Sequence, residues 1–274
     1  MTGRTNDQVN QKHGDFIWYE LMTSDIDAAK AFYGPMLGWS FESHEGGGME
    51  YHVFKAGGPG VGGFMPISKD MADGGARPLW AGYILVDDVD KAAAAIASAG
   101  GQTFMPPTDI PTVGRIAFLC DPQGAPFYVM KPQPPEGAPA GPSEAFCAYE
   151  PVDGHCAWNE LITADPKAAQ DWYGKLFGFV EMEAFDMGPM GAYHIMANAG
   201  QDFAYGAVMK KPDEMPVSLW VYYFRVPDID KAVDYIAANA GQVILGPMEI
   251  PGGDFVLNAM DPQGALFALI GKRV

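Results

Sequence analysis

The chain has 274 residues, nearly half of them apolar, enough for two domains of ordinary size with real cores. Thirty-four acidic against seventeen basic residues leave a net charge of −17, a field that excludes nucleic acid and anionic membrane surfaces as partners and leaves small molecules. There is no apolar run of the roughly 20 residues that cross a bilayer, no signal-peptide stretch near the start, and no disulfide framework or CxxC metal pattern among three cysteines. The expected location is therefore the reducing cytoplasm.

Residues 1–14 are polar and read as a mobile tail. A strand-like run at Phe16–Thr23 leads to a helix over residues 25–37, with Ser24 or Asp25 as its cap and Gly38 as its stop. Three short strands follow, up to about Pro66. Residues 79–86 restart the plan, with Asp87 or Asp88 as cap and a helix through Ala99 that ends at Gly100 and Gly101. Strands are then expected near residues 102–104, 115–120 and 126–130. The prolines of residues 133–153 mark a stiff linker whose end, at Phe146 and Tyr149, packs on a domain surface.

After the linker the chain starts again. WYELMTSDIDAAKAFYGPMLG (18–38) returns as WNELITADPKAAQDWYGKLFG (158–178), identical at ten of twenty-one positions with an offset of 140. At the same offset LWAGYILVDDVDKA (79–92) matches LWVYYFRVPDIDKA (219–232), and DPQGAPF (121–127) matches DPQGALF (261–267). A repeat of this length is a domain rather than a solenoid unit. The chain is read as an α+β protein with one domain at residues 15–132 and a second at 154–274. Each is built of two βαβββ modules.

The helices that open after Asp, the FY…LG helix end and the DPxGxxF turn, in this order and repeated, resemble the vicinal oxygen chelate superfamily of glyoxalases, bleomycin-resistance proteins and extradiol dioxygenases. That resemblance implies two modules curled into one open cleft, helices on the convex side, and hence two clefts. Catalytic members hold a divalent metal there through His, Gln or Glu. The first-strand ligand stands seven residues before the helix-opening Asp, which here gives Trp18, Trp158, Ala81 and Val221. The expected carboxylate falls on Tyr128 and Ala268. None of these groups supplies the N and O donors such a metal needs, so no metal and no other cofactor is expected.

Alternation along a strand puts Glu20 and Met22 on the face of Trp18, and Glu160 on the face of Trp158. Tyr83 and Tyr128, and in the second copy Tyr223, are expected to face the same clefts, with Glu20 opposite Tyr83 and Glu160 opposite Tyr223. A carboxylate in an aromatic cleft is a candidate proton acceptor or donor. Its alternative is to hold the sheet register. His52 and His194 recur at matching points in YHVF and YHIM, near the cleft rim.

Glu20, Glu160, Tyr83 and Tyr223 are thus the candidate catalytic residues, and Trp18, Met22, Tyr128, Trp158, His52 and His194 the candidate ligand contacts. The expected function is binding of small, largely apolar molecules in metal-free clefts, as a monomer or homodimer. The alternative is a glyoxalase-type lyase or isomerase, or a dioxygenase, that uses an atypical metal site or a Glu/Tyr acid–base pair.

Overall fold

Four aspartates begin the four long helices. In the computed structural model, which describes residues 5, 6, 9–46, 49–134, 137 and 141–274, Asp25, Asp88, Asp165 and Asp228 each accept a backbone amide of the turn that follows. These bonds satisfy donors that a helix start leaves open. The helices among the described residues are α1 (Ile26–Leu37), α2 (Lys69–Asp73), α3 (Val89–Ser98), α4 (Pro166–Phe177) and α5 (Ile229–Ala238), with one 3-10 turn at Gly188–Met190. Helices α1 and α4 end on Gly38 and Gly178 at φ 69° and 77°, the left-handed conformation that glycine adopts freely. Exposed α2 was not expected, because five residues carry no apolar periodicity.

The strands of the first copy are β1 (Phe16–Thr23), β2 (Trp39–Gly46), β3 (Met49–Ala56), β4 (Gly60–Pro66), β5 (Leu79–Leu85), β6 (Gln102–Ile110), β7 (Gly114–Cys120) and β8 (Pro126–Pro132). The second copy repeats them as β9 (Cys156–Thr163), β10 (Phe179–Asp186), β11 (Ala192–Asn198), β12 (Ala204–Lys210), β13 (Leu219–Val226), β14 (Gln242–Glu249), β15 (Phe255–Met260) and β16 (Leu266–Gly271). They form two mixed sheets ordered β2-β3-β4-β1-β5-β8-β7-β6 and β10-β11-β12-β9-β13-β16-β15-β14. The α+β class and the βαβββ order are as the sequence implies. Strand β6 runs on through Pro106 and Pro107, beyond the expected residue 104, which an edge strand tolerates because its outer amides need no partner.

Part of the expected tail and linker (residues 1–4, 7, 8, 135, 136 and 138–140) lies outside the described residues. Within the tail, Gly14 donates its amide to Leu85 O at 2.8 Å, and His13 stacks on Phe177. At the linker's end Phe146 is buried and bridges to Cys156. His155 lies in a turn, buried, with Nδ1 2.6 Å from Glu144 O, and His44 lies within β2.

By packing, the chain divides into two compact units that interleave the copies. One comprises Gly82–Ser143 and Trp158–Trp220 with the stretch ending at Ile17, and the other Trp18–Ala81, Glu144–Ala157 and Val221–Val274. Each unit is organised around the same buried chain of polar groups. In the second, Trp80 Nε1 donates to Tyr33 OH (3.1 Å), which donates to Asp261 Oδ2 (3.0 Å). In the first, Trp220 Nε1 donates to Tyr173 OH (3.0 Å), which donates to Asp121 Oδ2 (3.2 Å). The other carboxylate oxygen of each aspartate accepts two amides of its own DPQG turn. Aromatic rings seal both chains: Phe267 meets Tyr33 edge-on at 5.2 Å, and Phe127 lies 5.8 Å from Tyr173.

Removing either phenol oxygen strands an indole N–H and a carboxylate in an apolar interior, at a cost of about 1–3 kcal/mol. Tyr33→Phe and Tyr173→Phe should each lower the urea midpoint accordingly, and an unchanged midpoint would show the chain to be dispensable. Burial raises the pKa of Asp121 and of Asp261 above the ordinary 3.8, against the amide bonds that lower it. The folded state therefore holds these protons to higher pH than the unfolded state does. The stability they contribute is present in acid and lost as pH rises from about 4 through the raised values. Urea midpoints of Asp121→Asn plus Asp261→Asn should accordingly fall less steeply over that range than those of the wild type.

Candidate functional site

Trp18, Glu20 and Met22 alternate with Tyr19 and Leu21 along β1. Tyr19 turns toward the core, where it meets Tyr222 at 5.1 Å and Phe224 at 5.9 Å. On the opposite face Trp18 Nε1 donates to Tyr51 OH at 2.9 Å, and that phenol donates to Glu20. The second copy repeats the arrangement. Trp158 Nε1 donates to Tyr193 OH at 2.9 Å, and Tyr193 OH donates to Glu160 Oε2 at 2.6 Å. Both carboxylates are deep, Glu20 at 2% and Glu160 at 5% exposure.

Loss of solvent raises the pKa of Tyr51 well above its usual value, and the charge of Glu20 adds to the rise. Tyr51 therefore keeps its proton and acts as a donor toward the carboxylate. Glycine makes room for it: a Cβ on Gly63, the residue paired with Glu20, would lie 2.1 Å from the Tyr51 hydroxyl oxygen. In the second copy Ala207 pairs with Glu160.

Tyr51 and Tyr193 were missed in the sequence, although the signal was there. In each recurring YH pair it is the tyrosine, not the histidine, that shares a face with tryptophan and glutamate. His52 follows Tyr51 on the strand and so lies on the other face, buried, with Nδ1 2.9 Å from Ser43 Oγ and Nε2 2.6 Å from Glu50 Oε1. His194 Nδ1 lies 2.7 Å from Glu181 Oε2. The structure thus does not bring these histidines to the glutamates. Met22 is buried and pairs with Met65. Tyr83 and Tyr128, both buried, stack at 4.2 Å. Tyr223, also buried, pairs with Ala268.

The side chains at the metal-ligand positions do not fit a metal ion. Each indole N–H of Trp18 and Trp158 is already spent on a phenol and carries no lone pair to offer, and Ala81, Val221 and Ala268 have no donor at all. Among the described residues no three His, Cys, Asp or Glu side chains converge as a metal site requires. Nor is there an activated thiol in Cys147, whose pKa burial pushes up to about 12.

The model of the Glyoxalase/Bleomycin resistance protein/Dioxygenase superfamily matches residues 16–129 and again 154–269. The chain is 32% identical over 255 residues to CFP32 of Mycobacterium bovis, a protein provisionally named a glyoxylase, covering 92% of this chain and 93% of that one. It is 28% identical over 268 residues to the anthracycline biosynthesis protein DnrV of Streptomyces peucetius, covering 93% and 92%. Among solved structures it resembles the Mn(II)-bound glyoxalase from Novosphingobium aromaticivorans (TM-score 0.60, 16% identity, 96% and 83% covered). The 2,3-dioxygenase LapB from Pseudomonas sp. KL28 is similar to the same degree (TM-score 0.60, 14% identity, 96% and 94% covered). At these identities the structural likeness speaks for the fold alone.

Gly63→Ala should push the Tyr51 ring aside and break its bond to Glu20, seen as a changed near-ultraviolet circular dichroism signal with the far-ultraviolet spectrum retained. Ala207→Gly should leave both spectra as they are. Equal responses from the two variants would mean that the glycine is not what seats the phenol.

Proposed function

Because the chain belongs to the Glyoxalase/Bleomycin resistance protein/Dioxygenase superfamily, we propose that it is a tandem binding protein for small, largely apolar molecules, working without a metal. The observation that carries this reading is the twofold recurrence of Trp→Tyr→Glu where metal-dependent relatives need a ligand set. An indole and a phenol supply broad apolar contact, and a deep carboxylate supplies one polar anchor. That is the composition of a small-molecule site: a mostly apolar wall with few, fixed polar groups. The net charge of −17 favours neutral or cationic ligands over anions. We place the protein in the cytoplasm, its three free and buried cysteines suiting a reducing compartment, as a monomer or homodimer.

A second reading is favoured by the 2.6 Å bond from Tyr193 to Glu160. A carboxylate oriented by a neighbouring donor is also how a general base is held. Proton abstraction next to a carbonyl, with glutamate as base, would make the protein a lyase or isomerase like the relatives whose names carry the word glyoxylase.

Two measurements decide. Thermal melting should be insensitive to chelator and should rise with apolar ligands, since a ligand bound only by the folded state stabilises it. Metal at unit stoichiometry, with a lower melting temperature on chelation, would sink the metal-free reading. Glu20→Gln plus Glu160→Gln should weaken ligand binding at least tenfold while the protein stays folded. Ligand affinity equal to the wild type in that folded variant would assign both glutamates to the sheet alone.

A further inference from the structure

Helices α3 and α4, both in the first of the two compact units, share a cavity of about 410 Å³. That volume lies within the range of sites that hold small organic molecules. Ala92, Ala95 and Ile96 line it from α3, and Leu176 and Phe177 from α4. Ile96 and Phe177 are buried, whereas Ala95 is exposed.

The space is open because residue 95 is small. At the matching position of the second copy, 140 residues on, stands Tyr235. Its hydroxyl donates to Ala31 O of α1 at 3.0 Å and its ring lies 6.2 Å from Phe32. A phenol thus bridges α5 to α1. Helices α3 and α4 are joined instead past the end of α3, where Trp172 Nε1 donates to Ala99 O at 2.9 Å. The methyl of Ala95 bridges nothing.

The polar rim consists of His13, Asp87, Asp88 and Lys91. Two backbone bonds of 2.8 Å, Gly14 N to Leu85 O and Leu85 N to Asp15 O, fix the segment that carries His13. His13 Nε2 lies 2.9 Å from Leu176 O, and a carbonyl only accepts, so this nitrogen carries the proton of the neutral ring. Nδ1 is then the lone-pair side and takes the Asp87 amide at 3.4 Å. In that form the imidazole brings no charge to the Asp87 carboxylate 3.8 Å away. Lys91 Nζ is engaged by Asp88 Oδ2 at 3.0 Å. Among the described residues no lysine or arginine pairs with Asp87, whose side chain is 90% exposed.

An apolar cavity with an uncompensated carboxylate at its rim matches a molecule of complementary build. A protonated amine supplies the opposite charge, and a flat body fits beside the His13 and Phe177 rings, stacked at 6.0 Å and 27°. An anion would meet two carboxylates and one lysine, on a chain of net charge −17.

We propose that this cavity is a binding site for a small organic amine, its apolar body against Ala95 and Phe177 and its ammonium at Asp87. None of the Trp–Tyr–Glu side chains lines it, so the site stands whether or not the sheet faces bind ligands.

The test uses three probes with one naphthalene body: naphthylmethylamine, naphthalenemethanol and naphthoate, all substituted at the same ring carbon. Each is measured by equilibrium dialysis on the full chain. The amine should bind about fivefold more tightly than the alcohol, the upper end for a solvent-exposed charge pair, and naphthoate should not bind. Asp87→Asn should erase that preference while the alcohol binds as before. Ala95→Tyr, which installs the second copy's residue at an exposed position, should remove one equivalent of amine per chain with the melting temperature retained. Glu20→Gln plus Glu160→Gln should keep that equivalent.

The site is refuted if the wild type binds no amine, if folded Ala95→Tyr binds it with wild-type stoichiometry, or if Asp87→Asn keeps the preference. Loss of the equivalent with the two glutamates, rather than with Ala95→Tyr, would also refute it and would assign the amine to the sheet faces.

Discussion

A helix tyrosine held between an indole N–H and a buried aspartate fixes most of what this chain can be. Tyr33 comes from the first copy and Asp261 from the second, and Tyr173 and Asp121 reverse the roles. Each aspartate is already committed to its DPQG turn through its other oxygen, so turn, helix and strand are tied at one atom group. Exposed pairs such as Lys69 with Asp73 or Lys167 with Asp171 contribute at most about 1 kcal/mol. Breaking a buried, hydrogen-bonded carboxylate contact costs more and leaves no solvent to compensate. The interior is therefore specified by a polar thread through an aromatic cluster rather than by apolar volume alone.

The same three-part chemistry appears a second time with a different acid. On the face of the sheets away from the helices, Trp18 and Trp158 reach Glu20 and Glu160 through Tyr51 and Tyr193. There the rings are only partly enclosed, and the carboxylate is one methylene longer. One version of the motif closes a core. The other leaves an indole, a phenol and a deep carboxylate together on the outer face of the sheet.

Much of this was legible in residues. Aspartate seven positions after a tryptophan announces a capped helix, glycine announces its end, and the constant offset of 140 announces the second copy. Strand β1 shows its two faces through simple alternation. Other features were not legible, for physical reasons. Periodicity says which face of α1 is buried but not against which partner, so the crossing of Tyr33 to Asp261 could not be read. The acceptance of prolines in β6 depends on its place at a sheet edge, which is a property of order in space. The choice of Tyr51 over His52 turned on one residue of strand phase.

Interleaving has an evolutionary consequence. Once the helix of one repeat completes the interior of the other, a duplicated gene cannot revert to a single unit without exposing two hydrophobic surfaces at once. Substitutions around Tyr33 are then constrained by Asp261 of the other repeat, and those around Tyr173 by Asp121, while the sheet surfaces that face away from the helices escape that coupling. There the first copy has Tyr128 and Phe118 where the second has Ala268 and Asn258. The architecture ties its scaffold together by mutual dependence and leaves the two outer sheet surfaces outside that tie.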